Sequence, residues 1–392
     1  MAIFIGNIDD SYIPDSIRTA MGKDSKKYGI KFDGTNSAGI RTYDAADLHW
    51  VVSSGTTEGR DDFATASDIF KPKLCLTKYN STTKQREVMA YEGDTNWTTA
   101  VASGEGDYMR EYIPFYYRRV SENEMIVSPN PSPGFQIYPM FYHGGTLYPH
   151  VRVTAYNIGT GYVSKPGVGT LNNVNMNTIR QNLRAKGLYM CDYPTWTGIS
   201  WLGLIKTGNM NVQATVGYGR AEGNATIATG GADTVKGLDG SATGLGVNES
   251  VKFMGIENFY SNCWKFLDGI YTYNNYIYMK DIIEVDTNAD PASVTDLSSF
   301  TKLATPVPSM SDSTIRSIAF VPDCDYGFYP IAVGSPSPSD DCGWSATALD
   351  LVIVGGDAWN GSRAGLFAWY SNAAVGDTYA GCGALGGECA ES

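Results

Sequence analysis

Three histidines, seven cysteines and a few acidic pairs are the groups with which this 392-residue chain could do chemistry. His49 stands alone, and His143 and His150 flank Gly144-Gly145, a pair that reads as a hairpin tip. An isolated histidine of this kind is more often structural than catalytic. The cysteines, at 75, 191, 263, 324, 342, 382 and 389, form no CxxC pair and are odd in number, which argues against a disulfide framework and a zinc centre. Cys75, Cys191 and Cys263 read as buried thiols. Cys324 with Cys342, or Cys382 with Cys389, could pair under oxidising conditions where geometry allows. Asp61-Asp62, after Arg60, and Asp340-Asp341, after Ser339, sit in turn-like contexts; the second, in SPSPSDDCG, could offer oxygens to calcium, but a solvated loop is the plainer reading. There is no GxSxG elbow, HExxH helix or P-loop. GYGRAEG, Gly217 to Gly223, matches GxGxxxG only superficially, because no βαβ pattern surrounds it. The residues therefore predict no catalytic site, no metal and no cofactor.

Composition narrows the partners. Apolar residues make up 43% and charged residues 18%, with 44 glycines and 26 tyrosines, so the surface relies on Asn, Ser, Thr and Tyr more than on charge. Net charge is -12, and no basic cluster exceeds Lys26-Lys27 or Arg118-Arg119. Nucleic acid and anionic membranes are excluded as partners on that ground. No apolar run reaches the ~18 residues of a span, which excludes membrane insertion by a helix. The start, MAIFIGNIDDSYIPDSIRTAMGKDSK, lacks a basic segment and an apolar core, so no Sec signal peptide is expected. Synthesis in a cytoplasm is expected from that, and exit by assembly into a particle and lysis stays open.

The elements that must position any site read as α+β. Residues 1–105 look β-rich, with KYGIKF, KLCLTKYN and KQREVMAY as strands; FQIYPMFY and PHVRVTAYNIG alternate as strands further on. Two helices follow. Asn175 caps the first, with Met176, Ile179 and Leu183 as its apolar stripe and Gly187 as its stop. Pro194 opens the second, with Trp196, Ile199, Leu202 and Ile205 on one face and Gly208 at its end. Gly217 to Asn248 is a long loop region, and Leu349 to Val354 reads as a buried strand. After it comes AGLFAWYSNAAVGDTYAGCG, Ala364 to Gly383, which mixes aromatics with small polar residues in no regular order and reads as a loop.

Three segments carry a resemblance. ENFYSNCWKFLDGI, Glu257 to Ile270, looks like the GNVWEW-type segment of the formylglycine-generating-enzyme branch of the C-type lectin fold, with Asn262, Trp264 and Asp268 matching. LVIVGGDAWNGSRAG, Leu351 to Gly365, is similar to the RGGSW-type segment that follows, and the helix pair resembles the one preceding both. More closely, the carboxy-terminal segment resembles that of phage tail proteins diversified by diversity-generating retroelements. Gly355, Gly356, Gly361, Ala364, Gly365, Leu366, Phe367 and Asn372 occupy its fixed positions. GDYMREYIPFYYRR and YGIKFDGTNSAG look like the upstream part of such proteins.

The resemblance implies a C-type-lectin-fold domain at 106–392, preceded by a smaller β-rich region at 1–105 for attachment or packing, with a variable ligand-binding segment at about 355–385. It implies a non-enzymatic receptor-binding protein at a phage tail tip, carried on the virion. Its partners would be a host cell-surface protein or glycan and other tail proteins, and a homotrimer is the assembly that tail architecture suggests. A bacterial surface adhesin diversified in the same way, or a formylglycine-generating-type oxidoreductase, is the alternative. Lys265 departs from the enzyme branch, which has there a glutamate that helps hold calcium. The exchangeable face is expected at Asp357, Ala358, Trp359, Asn360, Arg363, Ala368, Tyr370, Asp377, Tyr379 and Gly381. There, Tyr and Trp would supply rigid contacts and small polar residues adaptable hydrogen bonds. Gly355, Gly356, Gly365, Leu366, Phe367, Asn262, Trp264 and Asp268 are the expected scaffold.

Overall fold

In the computed structural model of the chain, the described residues are 26–33, 36–121, 123–285, 294–306, 310–321, 324–333, 341–344 and 348–390. The first residues, read above for a signal peptide, lie outside them, as do the side chains of Asp340, Asp341 and Cys342. The described fold is mainly β with few helices, the two expected ones among them.

A six-stranded antiparallel sheet joins distant parts of the chain in the order Tyr189–Met190, Gly386–Ala390, His150–Thr154, Asp107–Tyr112, Lys73–Asn80 and Gln85–Tyr91. Lys73–Asn80 pairs directly with Asp107–Tyr112. Residue 105 therefore lies in a loop between strands of one sheet, to which residues on both sides of it contribute. Buried charge knits the same sheet: Arg152 Nε donates to Glu111 at 2.7 Å, and Arg86 pairs with Asp107 at 2.7 Å. A second, five-stranded sheet runs Gly39–Tyr43, Tyr28–Phe32, Glu124–Ser128, Tyr116–Ser121, Gln136–Ile137. Pro114 separates Asp107–Tyr112 from Tyr116–Ser121, so the aromatic run EYIPFYYRRV serves two sheets. FQIYPMFY, expected as a strand, is instead a two-residue strand, Gln136–Ile137, and a 3₁₀ turn, Pro139–Phe141.

The two helices form where their caps stand. Asn175 accepts from Thr178 N–H at the start of Met176–Arg184, and Asp192 accepts from Thr195 N–H at the start of Tyr193–Thr207. Gly208, at φ +69°, closes the second in the left-handed region. That second helix is not amphipathic as the stripe suggested. Thr195, Gly198, Ser200, Gly203 and Lys206 are buried along with its apolar face. Lys206 is tolerated there because its ammonium meets Asp61 and Asp239, each at 2.7 Å. The helix is the axis of the main core, with Trp196 stacked on Phe259 at 4.1 Å between ring centres and Trp201 against Phe328 at 5.7 Å.

A third sheet completes the frame. Its centre is Trp264–Tyr273, then Asp350–Val354, then Trp369–Ala374, all antiparallel, and Cys382–Gly383 adds in parallel to Trp264–Lys265. The carboxy-terminal strand Gly386–Ala390 then returns to the first sheet beside His150–Thr154.

Candidate binding face

The strand Asp350–Val354, buried throughout, delivers the chain to Gly355 and Gly356 at φ +93° and +78°. Both glycines are buried. A Cβ on Gly356 would come within 2.6 Å of Ala364, a close approach that only glycine permits. Beyond them the backbone turns on itself: Asp357 N–H donates to Asn360 Oδ1 at 2.7 Å, Trp359 N–H to Asp357 Oδ1 at 2.9 Å, and a 3₁₀ turn follows at Gly361–Arg363. Gly365, Leu366 and Phe367 re-enter the core, where Phe367 packs on Phe328 at 4.8 Å.

The next residues are a strand and not the loop read from the sequence. Trp369–Ala374 pairs with Asp350–Val354, and its burial alternates: Trp369, Ser371 and Ala373 face inward, while Tyr370, Asn372 and Ala374 face outward. The alternation was hidden because its inward side carries Ser and Ala and its outward side carries Tyr. Trp369 meets Tyr193 edge-on at 5.7 Å. A turn follows, held by Asp377, whose carboxylate accepts from Ala374 N–H at 3.1 Å and from the Tyr379 hydroxyl at 2.7 Å.

The ten expected face positions divide on exposure. Trp359 is 47% exposed and Tyr379 36%, whereas Asp357, Asn360, Arg363, Tyr370 and Asp377 are half-buried. Ala358, Ala368 and Gly381 are buried, so their side-chain positions cannot touch a ligand directly. Gly381 is there for its lack of a side chain, since a Cβ would run into Asp357 Oδ2 and lie 3.2 Å from the Trp359 ring. It thus brings the two ends of the segment, 357–359 and 379–381, onto one side of the molecule. Ser362, Asn372, Thr378 and Ala380 are exposed beside them and were not singled out as face positions from the sequence. For Asn372 the period-2 relation to Tyr370 is the signal that would have found it.

The scaffold residues hold this face from behind. Trp264 packs edge-on to Tyr370 at 5.1 Å. Asp268 is fully buried in a bidentate pair with Arg180, whose Nη2 lies 2.8 Å from Oδ1 and also reaches the Tyr271 hydroxyl at 3.1 Å. Asn262, at φ +63°, accepts from Ile227 N–H at 2.9 Å and donates to Thr170 at 3.2 Å. Glu257 accepts from Gly230 and Ala232 N–H groups. The polar letters of ENFYSN are therefore the pins that order the long loop. Lys265 is buried, its ammonium 2.6 Å from the Ser261 carbonyl, and burial pulls its pKa down to about 8. Where the enzyme branch has a carboxylate, this chain carries a cation with its own acceptor. Burial raises the Asp357 carboxyl above its ordinary value, opposed by the Trp359 and Asn360 backbone N–H groups and by Lys265.

The other candidate groups are structural. His143 is buried, with Nδ1 3.0 Å from Asp281 and Nε2 3.0 Å from the Met140 carbonyl, at the tip of the Gly144-Gly145 hairpin. His150 lies 3.5 Å from Glu111, and His49 is exposed near Asp62. Cys75, Cys191, Cys263, Cys324 and Cys382 are free and buried; Cys389 is free and half-buried, so it is not bonded to Cys382. What the face offers is contact chemistry: rings, amides, carboxylates and one guanidinium.

No family model matches the chain, and no curated protein matches it. Among solved structures it is similar to the Major Tropism Determinant U1 variant at 10% identity and a TM-score of 0.31, with 81% of this chain and 72% of that one covered. The P3c variant gives 10% and 0.30 and the M1 variant 11% and 0.29, over the same coverage. At those values the likeness establishes neither a shared fold nor a shared function.

Proposed function

We propose that the chain is a non-enzymatic receptor-binding protein of the phage-tail type, which grips a host cell-surface molecule with its carboxy-terminal face. One observation carries the reading. The segment resembling a diversified region is clamped at Gly355-Gly356, at Trp369–Ala374 and at Cys382–Gly383, yet between those clamps it exposes Trp359 and Tyr379 with polar neighbours. Rings on a rigid base bind with little ordering cost, which is how paratopes work. The helix pair, the strand Trp264–Tyr273 that follows ENFYSNC, and the strand Asp350–Val354 follow one another as the C-type-lectin resemblance requires, which supports assigning that fold to about 106–392. In that assignment 1–105 is an extension sharing a sheet with it. Other tail proteins would hold the chain on the virion, and several copies, as in a trimer, would multiply weak contacts.

Adsorption competition tests this. Host cells pre-incubated with the purified chain should lose most adsorption of the phage whose tail carries it. Undiminished adsorption, with no chain retained on the cells, would refute the reading. A nucleotide comparison adds an independent check: a nearby near-copy of the 357–381 coding segment should differ from it only at adenines.

A further inference from the structure

The irregular stretch after the second helix is tied to the candidate face itself. Gly223 and Asn224 N–H groups both donate to the Ala358 carbonyl, at 2.9 and 3.3 Å, and Gly361 N–H donates to the Ala221 carbonyl at 2.8 Å. Gln213 Nε2 donates to the Gly361 carbonyl at 3.1 Å. These bonds bracket Trp359, the most exposed ring of the face, and lay residues 218–224 along its edge. On that strip Glu222 is exposed and Tyr218 half-buried, with the Tyr218 hydroxyl donating to Glu222 Oε1 at 2.8 Å. Glu222 N–H in turn donates to Asn248 Oδ1 at 2.8 Å, and Gly219 bridges to Val247. Val247 and Leu245 are 51% and 49% exposed, two aliphatic side chains two residues apart that give this strip apolar area for a partner to cover.

We propose that Tyr218 and Glu222, with Val247 beside them, form a fixed half of the binding face, and that the partner is a protein surface presenting apolar and basic side chains. This rests on the reading of the preceding subsection and specifies its ligand class. Leu245 and Val247 add aliphatic area beside the rings, which suits the apolar side chains of a protein surface more than the hydroxyl-covered face of a sugar. Glu222, on the fixed strip, puts an exposed carboxylate beside the aromatics in a chain of net charge -12, which complements lysine and arginine. The exchangeable half then chooses among partners, while the fixed half contributes the same contacts to each.

Display of the full chain, randomised at Trp359, Asn360, Arg363, Tyr370, Asp377 and Tyr379 and selected on lysozyme as a basic protein probe, tests it. Binders are expected, and Tyr218→Ala combined with Glu222→Gln should weaken every one at least tenfold with an unchanged melting temperature. Should the double variant melt early, Glu222→Gln alone, on an exposed side chain, must still weaken binding at least threefold. Binders indifferent to these substitutions overturn the fixed half. A selection that yields no binders overturns the exchangeable face beneath it.

Discussion

Gly381 and Trp359 are close neighbours, yet they should respond to substitution in opposite ways. A side chain at 381 must displace the Asp357 carboxylate, so Gly381→Ser should cost roughly 1–3 kcal/mol, the usual penalty of overpacking. Trp359→Ala removes a half-exposed ring and should stay within about 0.5–1 kcal/mol. Urea unfolding midpoints of the two variants measure the difference, and equal losses would mean that Trp359 is a core residue. The exposed aromatics were legible in the sequence, because a ring among Gly, Asn and Asp has no apolar neighbours with which to build a core. Ala358, Ala368 and Gly381 could not be separated from them. A small residue is equally at home under a face or on it, and only the close approach of Asp357 shows which applies at 381.

The helix Tyr193–Thr207 shows the same limit one level up. Its caps and its Gly208 stop were legible, since they act within a few residues. Its burial on every side was not, because Thr195, Ser200 and Lys206 are held within the body by the fold around them, Lys206 by Asp61 and Asp239 from distant parts of the chain. Gly203→Ala separates the two views. On an exposed helix face, alanine would gain about 1 kcal/mol. Here its Cβ would collide with the Phe253 ring, so the melting temperature should drop by several degrees. The long loop was read correctly as irregular, but its order comes from ENFYSN and is invisible locally. Burial pushes the Glu257 carboxyl up to about 7 from 4.5, so the folded state holds that proton more tightly than the unfolded one. Its stabilising contribution is complete below about pH 4.5 and is lost as pH rises through 7. Glu257→Gln should therefore flatten the decline in stability between those values, read by thermal melts across the range. An unaltered pH profile would show that Glu257 is not the titrating pin.

At the scale of the whole molecule, the last described strand is anchored on both sides. The carboxy-terminal strand Gly386–Ala390 lies between His150–Thr154 and Tyr189–Met190, and Lys73–Asn80 and Asp107–Tyr112 extend the same sheet. Under the proposed function, this closure would let an exposed ring such as Trp359 be exchanged without loosening the body, whereas the Asp357, Asn360 and Asp377 side chains accept the backbone N–H bonds that shape their turns. It was only partly legible: the order of helices and strands could be read, whereas the return of the final strand to residue 150 depends on long-range pairing that no local pattern encodes. The most direct measurement on the proposed gripping face is host-cell attachment of the triple variant Trp359→Ala, Tyr370→Ala, Tyr379→Ala, with its melting temperature taken on the same sample. Attachment should fall at least tenfold while the melting temperature moves by only a few degrees. A variant that attaches like the parent, or that unfolds outright, would contradict the claim that these rings exist to bind.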